Sequence, residues 1–173
     1  MKHRRPRGVV LPSSFGDDPG GNHPMVIVLH TVEADGMKLF PRWLKTILDI
    51  QQLSVHAGVS RFGKRSFMLN GNTVGRHAPP NHGKIGIEQE GYARFSRKKW
   101  LLRGVQLHST ALLIAWYSYR WGIPIVHSTA HGVCQHKDLP AGGHSDCGFG
   151  YPERLVLAWA RTYRKTVYRG VYK

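Results

Sequence analysis

The sequence predicts a mixed α/β domain, with a central mixed β-sheet covered by helices. Three observations carry that reading. Met25-Val-Ile-Val-Leu-His30-Thr31 is a continuous apolar run closed by a histidine, the pattern of a central strand buried on both faces. The stretches from Pro41 to about Gln52 and from Arg103 to Trp121 carry apolar residues near helical spacing. Further strand-like runs alternate with these helices, and neither an internal repeat nor a linker interrupts the order.

Residues 1–24 are rich in Pro, Gly, Ser and Arg and read as a basic, irregular arm; residues 25–173 read as one domain. After the first strand, Glu33 to Lys38 is loop. Pro41 then opens a helix, because its missing N–H costs nothing in the first turn, and Trp43, Leu44, Ile47 and Leu48 form its apolar face. Ser54 to Ser60 alternates, with Val55, Ala57 and Val59 opposite Ser54, His56 and Ser60. A turn at Arg61–Lys64 leads to a strand at Arg65–Leu69, giving a hairpin. Asn70 to Gly83 is a long loop of turn residues. Lys84 to Gly91 is a short strand, with Ile85 and Ile87 on one face and Gly86, Glu88 and Glu90 on the other. The helix over Arg103–Trp121 carries Val105, Ala111, Leu112, Ala115, Trp116 and Tyr119, and Gly122 and Pro124 end it. Ile123–Val126 reads as a short strand. Pro152 starts a last helix to about Lys165, with Leu155, Trp159 and Thr162 in register.

A chain of 173 residues, 41% hydrophobic and 10% aromatic, buries a full core and is globular. Its 25 Lys and Arg against 10 Asp and Glu give a net charge of +15. Such an imbalance suits a polyanionic partner: nucleic acid, an anionic cell wall or a membrane surface. No basic block alternates with stacking aromatics, so no specific nucleic-acid partner is expected. Cys134 and Cys147 make neither a CxxC pair nor a disulfide framework and read as free thiols. No run reaches the roughly 18 apolar residues of a membrane span, and no apolar signal core follows the basic N-terminus. The expectations are therefore synthesis in the cytoplasm without a signal peptide, no membrane insertion, and a monomer.

The chemistry concentrates in His136-Lys-Asp-Leu-Pro-Ala-Gly-Gly-His144-Ser-Asp146-Cys147-Gly148, too broken by turn residues to be helix or strand. A catalytic zinc takes three ligands from His, Asp, Glu or Cys and keeps one position open. A nearby carboxylate then serves as base, and a donor steadies the oxyanion. His30 ends a rigid strand, His136 and Asp146 share the loop, and Glu88 projects from a strand face. His108 falls in a helix, and His3, His23, His82, His127 and His131 read as surface or structural.

Taken in order, VIVLHT, SVHAGVS, GRHAPPN, IGIEQEG, HKDLPAGGHSDCG and YP resemble the zinc-dependent N-acetylmuramoyl-L-alanine amidases. These are the type-2 amidases of phage endolysins, related to peptidoglycan recognition proteins. The likeness runs from about residue 25 to 160. HAPPN before IGIE, and the closing HSDCG, are most similar to endolysins of phages that infect actinobacteria.

The resemblance implies Zn2+ held by His30, His136 and Asp146, with Cys147 the alternative third ligand. It implies Glu88 as the catalytic acid–base and puts His144 at the family's basic position, usually lysine. His56, with Ser54, would orient or line the site, while His77 and Asn81 would touch substrate or fix their loop. Besides His144 for lysine, Cys147 occupies a usual proline position, Gln135 replaces a glycine, Val55 replaces a tyrosine catalytic in some relatives, and Arg76 replaces a frequent tryptophan. The implied activity is hydrolysis of the amide between N-acetylmuramic acid and L-alanine in bacterial peptidoglycan, leading to wall lysis after release from the cell. Anionic wall polymers are a further expected partner of the basic surface. The alternative is a non-catalytic peptidoglycan-binding module, which characteristically lacks a zinc ligand that this chain retains.

Overall fold

A computed structural model describes residues 4–140 and 143–168; His3, read as surface or structural, lies outside them. The element order is β1 (Val9–Val10), β2 (Gly16–Pro19), β3 (Val26–Thr31), α1 (Phe40–Ile50), β4 (Ala57–Val59), β5 (Arg65–Phe67), β6 (Thr73–Gly75), β7 (Lys84–Gln89), α2 (Arg97–Leu101), α3 (Gly104–Trp121), β8 (Gly132–Gln135) and α4 (Glu153–Thr166). One sheet runs β1-β5-β4-β7-β3-β8, and β2 pairs with β6 in a small second sheet. All neighbours in the main sheet are parallel except β4 and β5. The expected mixed sheet is therefore present.

β3 is buried along its whole length. Its alternate residues serve different layers. Ile27 and Leu29 join Ile85, Ile87 and Val133 under α3 and α4, in a core with Trp100, Leu107, Leu113, Ile114, Val156, Leu157 and Ala160. Val26 and Val28 face the other way, against Ala78 and Cys134. On that second side α1 contributes Phe40, Leu44 and Leu48, which pack with Val55 and Met68.

Several elements depart from the sequence reading. β1 and β2 lie within residues 1–24, read as irregular; β1 is ordered by parallel pairing with Ser66 and Phe67, and β2 by pairing with β6. β6 itself lies in the expected long loop. Ile123–Val126 is not a strand: Ile123 and Ile125 are core residues, and the strand is Gly132–Gln135, hydrogen-bonded to β3. α2, capped by Ser96 accepting from the Lys99 N–H, was not anticipated. α3 buries residues around most of its circumference, yet Val105 on the expected face is 65% exposed. α4 buries Val156, Leu157 and Ala160, one position off the Leu155, Trp159, Thr162 stripe. Trp159 instead lies between helices, stacked on His108 at 3.8 Å. Cys134 and Cys147 are free and buried, as expected.

Candidate metal centre

The parallel pairing of β7, β3 and β8 builds the site. Register places Val28 opposite Gly86 and Cys134, and His30 opposite Glu88. Because paired side chains on parallel strands share a face, His30 and Glu88 point to the same side, and His136 meets His30 there. His30 and Glu88 are paired at the ends of β3 and β7, and His136 follows directly on the end of β8, in a short 3-10 turn. This is the carboxyl end of the parallel strands, where open α/β sheets place their ligands.

The loop after β8 closes over this row. The Lys137 N–H donates to the Asp146 carbonyl at 2.7 Å, and the Thr31 N–H donates to Asp146 Oδ2 at 3.2 Å. Asp146 is thereby tied to both β3 and the start of its own loop. His30 Nδ1 lies 3.1 Å from His136 Nδ1 and 3.4 Å from Asp146 Oδ2; His136 Nδ1 lies 3.2 Å from Asp146 Oδ1. A tetrahedral ion with bonds of about 2.0–2.1 Å sets its ligand atoms about 3.3–3.4 Å apart, so these three atoms fit the edges of such a site. Among the described residues the same three form one of two compact groups of side chains of metal-binding type, the other being the more exposed His127, Asp138 and Glu153.

The charge states suit a cation. Burial pushes the His30 imidazolium toward deprotonation, opposed by Asp146. Burial also works against the Asp146 carboxylate, but hydrogen bonds from His136 and His30 outweigh it and hold the carboxyl below its ordinary range. A neutral imidazole and an ionised carboxylate are the forms that bind metal.

Cys147, the alternative ligand, sits in the main hydrophobic core beside Gln89, whose Nε2 is 3.6 Å from its sulfur. Burial pushes its thiol well up, which disfavours the thiolate that a metal would need.

Glu88 on β7 and Glu90 just past its end have opposite surroundings. The Glu90 carboxylate accepts the N–H groups of Gly36, Met37 and Arg61 at 2.8–3.0 Å. It is a structural anchor for the segment after β3. Glu88 Oε2 is buried with no hydrogen-bond partner. Burial, then Asp146 and Glu33, raise the Glu88 carboxyl well above its usual range. A carboxylate so placed favours taking up a proton.

The remaining residues divide by role. His77 Nδ1 lies 3.1 Å from His30 Nε2, so it engages the nitrogen of His30 that faces away from the cluster. That contact holds the His30 ring at its present angle. Sequence spacing offered no sign of it, because 47 residues separate the two. Asn81 Oδ1 accepts the N–H groups of His77 and Ala78, fixing the loop that carries His77.

His56 does not reach the groove: it is fully buried, its Nδ1 accepts the Gly86 N–H at 3.0 Å and its Nε2–H donates to the Thr73 carbonyl at 3.0 Å. Both ring nitrogens are occupied, which leaves no atom for substrate. Ser54 accepts the Arg76 N–H at 2.9 Å. His144 is exposed and stacks on His136 at 3.7 Å between ring centroids. Gln135, in place of a glycine, donates to Glu153 at 3.0 Å. Arg76 forms a two-bond ion pair with Asp17 on the groove rim.

Around these residues lies a groove of about 370 Å3, whose lining combines the apolar Leu48, Leu53, Val55 and Pro79 with Asn81, His30, Glu88 and Asp146. Orphaned buried atoms gather here: His77 Nε2, Glu88 Oε2 and His136 Nε2. A groove with an apolar wall and a few unsatisfied polar atoms is shaped for a ligand.

Comparison with known proteins agrees with this architecture. The sequence profile described as N-acetylmuramoyl-L-alanine amidase matches residues 20–149. No curated protein is significantly similar in sequence. Among solved structures, the chain is similar to the N-acetylmuramoyl-L-alanine amidase LysC of Clostridium intestinale, with a TM-score of 0.70 at 20% identity over 89% of this chain and 97% of that one. The endolysin amidase LysCS of the same organism gives 0.71 at 20% identity over 90% and 96%. The hydrolase AmiA of Staphylococcus aureus, solved with its ligand, gives 0.70 at 16% identity over 94% and 85%. With the profile covering most of its length, the chain belongs to the N-acetylmuramoyl-L-alanine amidase family and is an amidase that acts on peptidoglycan.

Proposed function

We infer that this amidase is zinc-dependent, with His30, His136 and Asp146 as ligands, Glu88 as general base and acid, and His144 as oxyanion donor. One observation carries the reading: three donor atoms converge at 3.1–3.4 Å, beside a buried carboxylate oxygen that lacks a partner. When bound, the metal supplies a Lewis acid that polarises the amide carbonyl and makes water more acidic.

The chain's own residues do the rest. Glu88, next to His30 across the β3–β7 ladder, takes a proton from the attacking water as it adds to the lactyl carbonyl. Its raised proton affinity favours that step and holds the proton for the departing L-alanine nitrogen. The C–N bond then breaks, giving a muramic carboxylate and a free amine. His144, exposed at the groove and stacked on His136, donates a hydrogen bond to the carbonyl oxygen as its negative charge develops. His77 holds His30 in its ligating orientation, and the Thr31 N–H holds Asp146. Leu48, Leu53 and Val55 offer the substrate an apolar surface beside the reacting bond.

The wider role proposed is that of an endolysin: a monomeric enzyme with a single amidase domain, to which β1 and β2 of the N-terminal segment also belong, acting on the host wall after release. Phages of actinobacteria are its proposed source, on the HAPPN and HSDCG motifs. Its net charge of +15 supports retention by anionic wall polymers. The test is digestion of purified peptidoglycan by zinc-loaded protein. New amino termini of L-alanine, without new reducing sugar ends, support the reading. Release of reducing ends, or digestion unaffected by chelation and dialysis, contradicts it.

A further inference from the structure

The structure carries a second surface that hydrolysis does not use. The β4–β5 turn, Arg61-Phe62-Gly63-Lys64, meets the segment Arg97-Lys-Lys-Trp-Leu-Leu-Arg-Gly-Val105 at the α2–α3 junction. The turn is fastened there: Ser109 Oγ donates to the Gly63 carbonyl at 2.8 Å. Gly63 has φ +72°, and a Cβ there would lie 2.7 Å from the Val105 side chain. The turn is thus held tightly against the first turn of α3.

Four large apolar side chains project outward from this junction. Phe62 is 65% exposed, Leu101 44%, Leu102 80% and Val105 65%. Arg61, Phe62, Leu102, Arg103 and Val105 share one shallow depression of about 550 Å3. Single exposed apolar residues are common, but four gathered on a fastened turn and helix junction mark a contact surface.

The charges select the partner. The two segments hold six cations and no acid. Arg61 and Arg103 are paired inward with Asp35 and Glu90. Lys64, Arg97 and Lys98 are exposed, and no carboxylate lies within ion-pair distance of them among the described residues. A second copy docked on this face would bring like charges together. A phosphate-bearing wall polymer or a nucleic acid would satisfy the cations, yet offers no hydrocarbon phase to Leu101, Leu102 and Val105. An anionic lipid surface satisfies both, with cations at the headgroups and apolar side chains at the acyl boundary. Among the described residues no helix is long and apolar enough to cross a membrane, and the contact proposed below is a superficial one.

We propose that Phe62, Leu101, Leu102 and Val105, ringed by Lys64, Arg97 and Lys98, form a docking face for an anionic phospholipid membrane. This does not depend on the zinc chemistry above.

The test is co-sedimentation of the whole protein with phosphatidylglycerol–phosphatidylcholine vesicles and with pure phosphatidylcholine vesicles. Binding to the anionic vesicles should be at least tenfold tighter and should weaken with salt. The double variant Phe62→Ser/Leu102→Ser should lose at least tenfold in that binding. Its hydrolysis of a soluble muramoyl peptide and its circular dichroism should be unchanged, since both side chains lie on the surface. Lys98→Glu, a change of two charges, should lose at least about fivefold. Equal binding to both vesicle types overturns the proposal, as does a double variant that binds like wild type. A concentration-dependent wild-type dimer abolished by the double variant overturns it in favour of a second copy. Retention on DNA that falls with Lys98→Glu but not with the double variant, without vesicle binding, overturns it in favour of nucleic acid.

Discussion

Replacing Glu88 with glutamine separates its chemical role from its structural surroundings. The substitution keeps shape and volume on β7, beside His30 and Gly58, but removes the proton acceptor. General acid–base assistance contributes about 10²–10⁴-fold, so kcat on peptidoglycan should fall by that factor. This corresponds to about 3–5 kcal/mol of barrier.

Stability should move the other way in the metal-free protein. Glu88 holds its proton more tightly folded than unfolded, because burial and the neighbouring Asp146 and Glu33 disfavour its charge. As pH rises above the ordinary carboxylate range, the unfolded chain releases that proton first, and the folded state loses relative stability. Glutamine does not titrate, so the loss disappears. At pH 7–8 the metal-free variant should match or exceed wild type by up to about 1–3 kcal/mol, the scale for a buried group without a partner. For a chain of this size that is about 2–4 °C of melting temperature per kcal/mol. Three assays suffice: turnover on cell walls, zinc stoichiometry, and thermal melts after chelation. Near-normal turnover, loss of zinc, or a clear drop in metal-free stability would each refute the reasoning.

Other perturbations give distinct outcomes. Glu90→Gln should cost about 1.5–3 kcal/mol in urea unfolding, because the buried carboxylate accepts three backbone N–H groups. His77→Ala should weaken zinc binding about 10–100-fold in chelator competition, because His30 loses the partner of its second nitrogen. His56 is pushed down to about 4 by burial, so the unfolded chain binds its proton first as pH falls from 6.5. Stability present above pH 6.5 should therefore drain away toward pH 4, by about 2–3 kcal/mol. Urea unfolding at pH 7 and pH 4.5 should show that fall in wild type and a smaller one in His56→Gln.

Much of this architecture is readable from residue pattern, and the unread parts share a cause. β3 announces itself because every residue from Val26 to Leu29 is buried, and burial on both faces leaves an unbroken apolar run. β7 shows alternation that sorts Ile85 and Ile87 from Gly86 and Glu88. β8 is hidden because Gly-Val-Cys-Gln is short and less apolar than Ile123–Val126; it is a strand because β3 supplies its hydrogen bonds. β1 likewise exists only through its pairing with β5. The same holds at the site. The residue types of His30, Glu88, His136 and Asp146 are visible in order along the chain, but their distances are products of strand register. The contact of His77 with His30, and the satisfaction of Glu90 but not Glu88, depend on loops that no local spacing encodes. The burial of His56 reverses the outward look of the Ser54–His56 alternation, because β6 and β7 close over it.

The account rests on a metal between three named side chains, and anomalous X-ray scattering at the zinc edge tests it directly. Crystals of protein purified without chelator should give one strong peak within bonding distance of His30 Nδ1, His136 Nδ1 and an Asp146 oxygen, with Cys147 still in the core. A peak bonded to the Cys147 sulfur, a peak confined to the more exposed His127, Asp138 and Glu153 group, or no peak from protein that still cleaves peptidoglycan would contradict it.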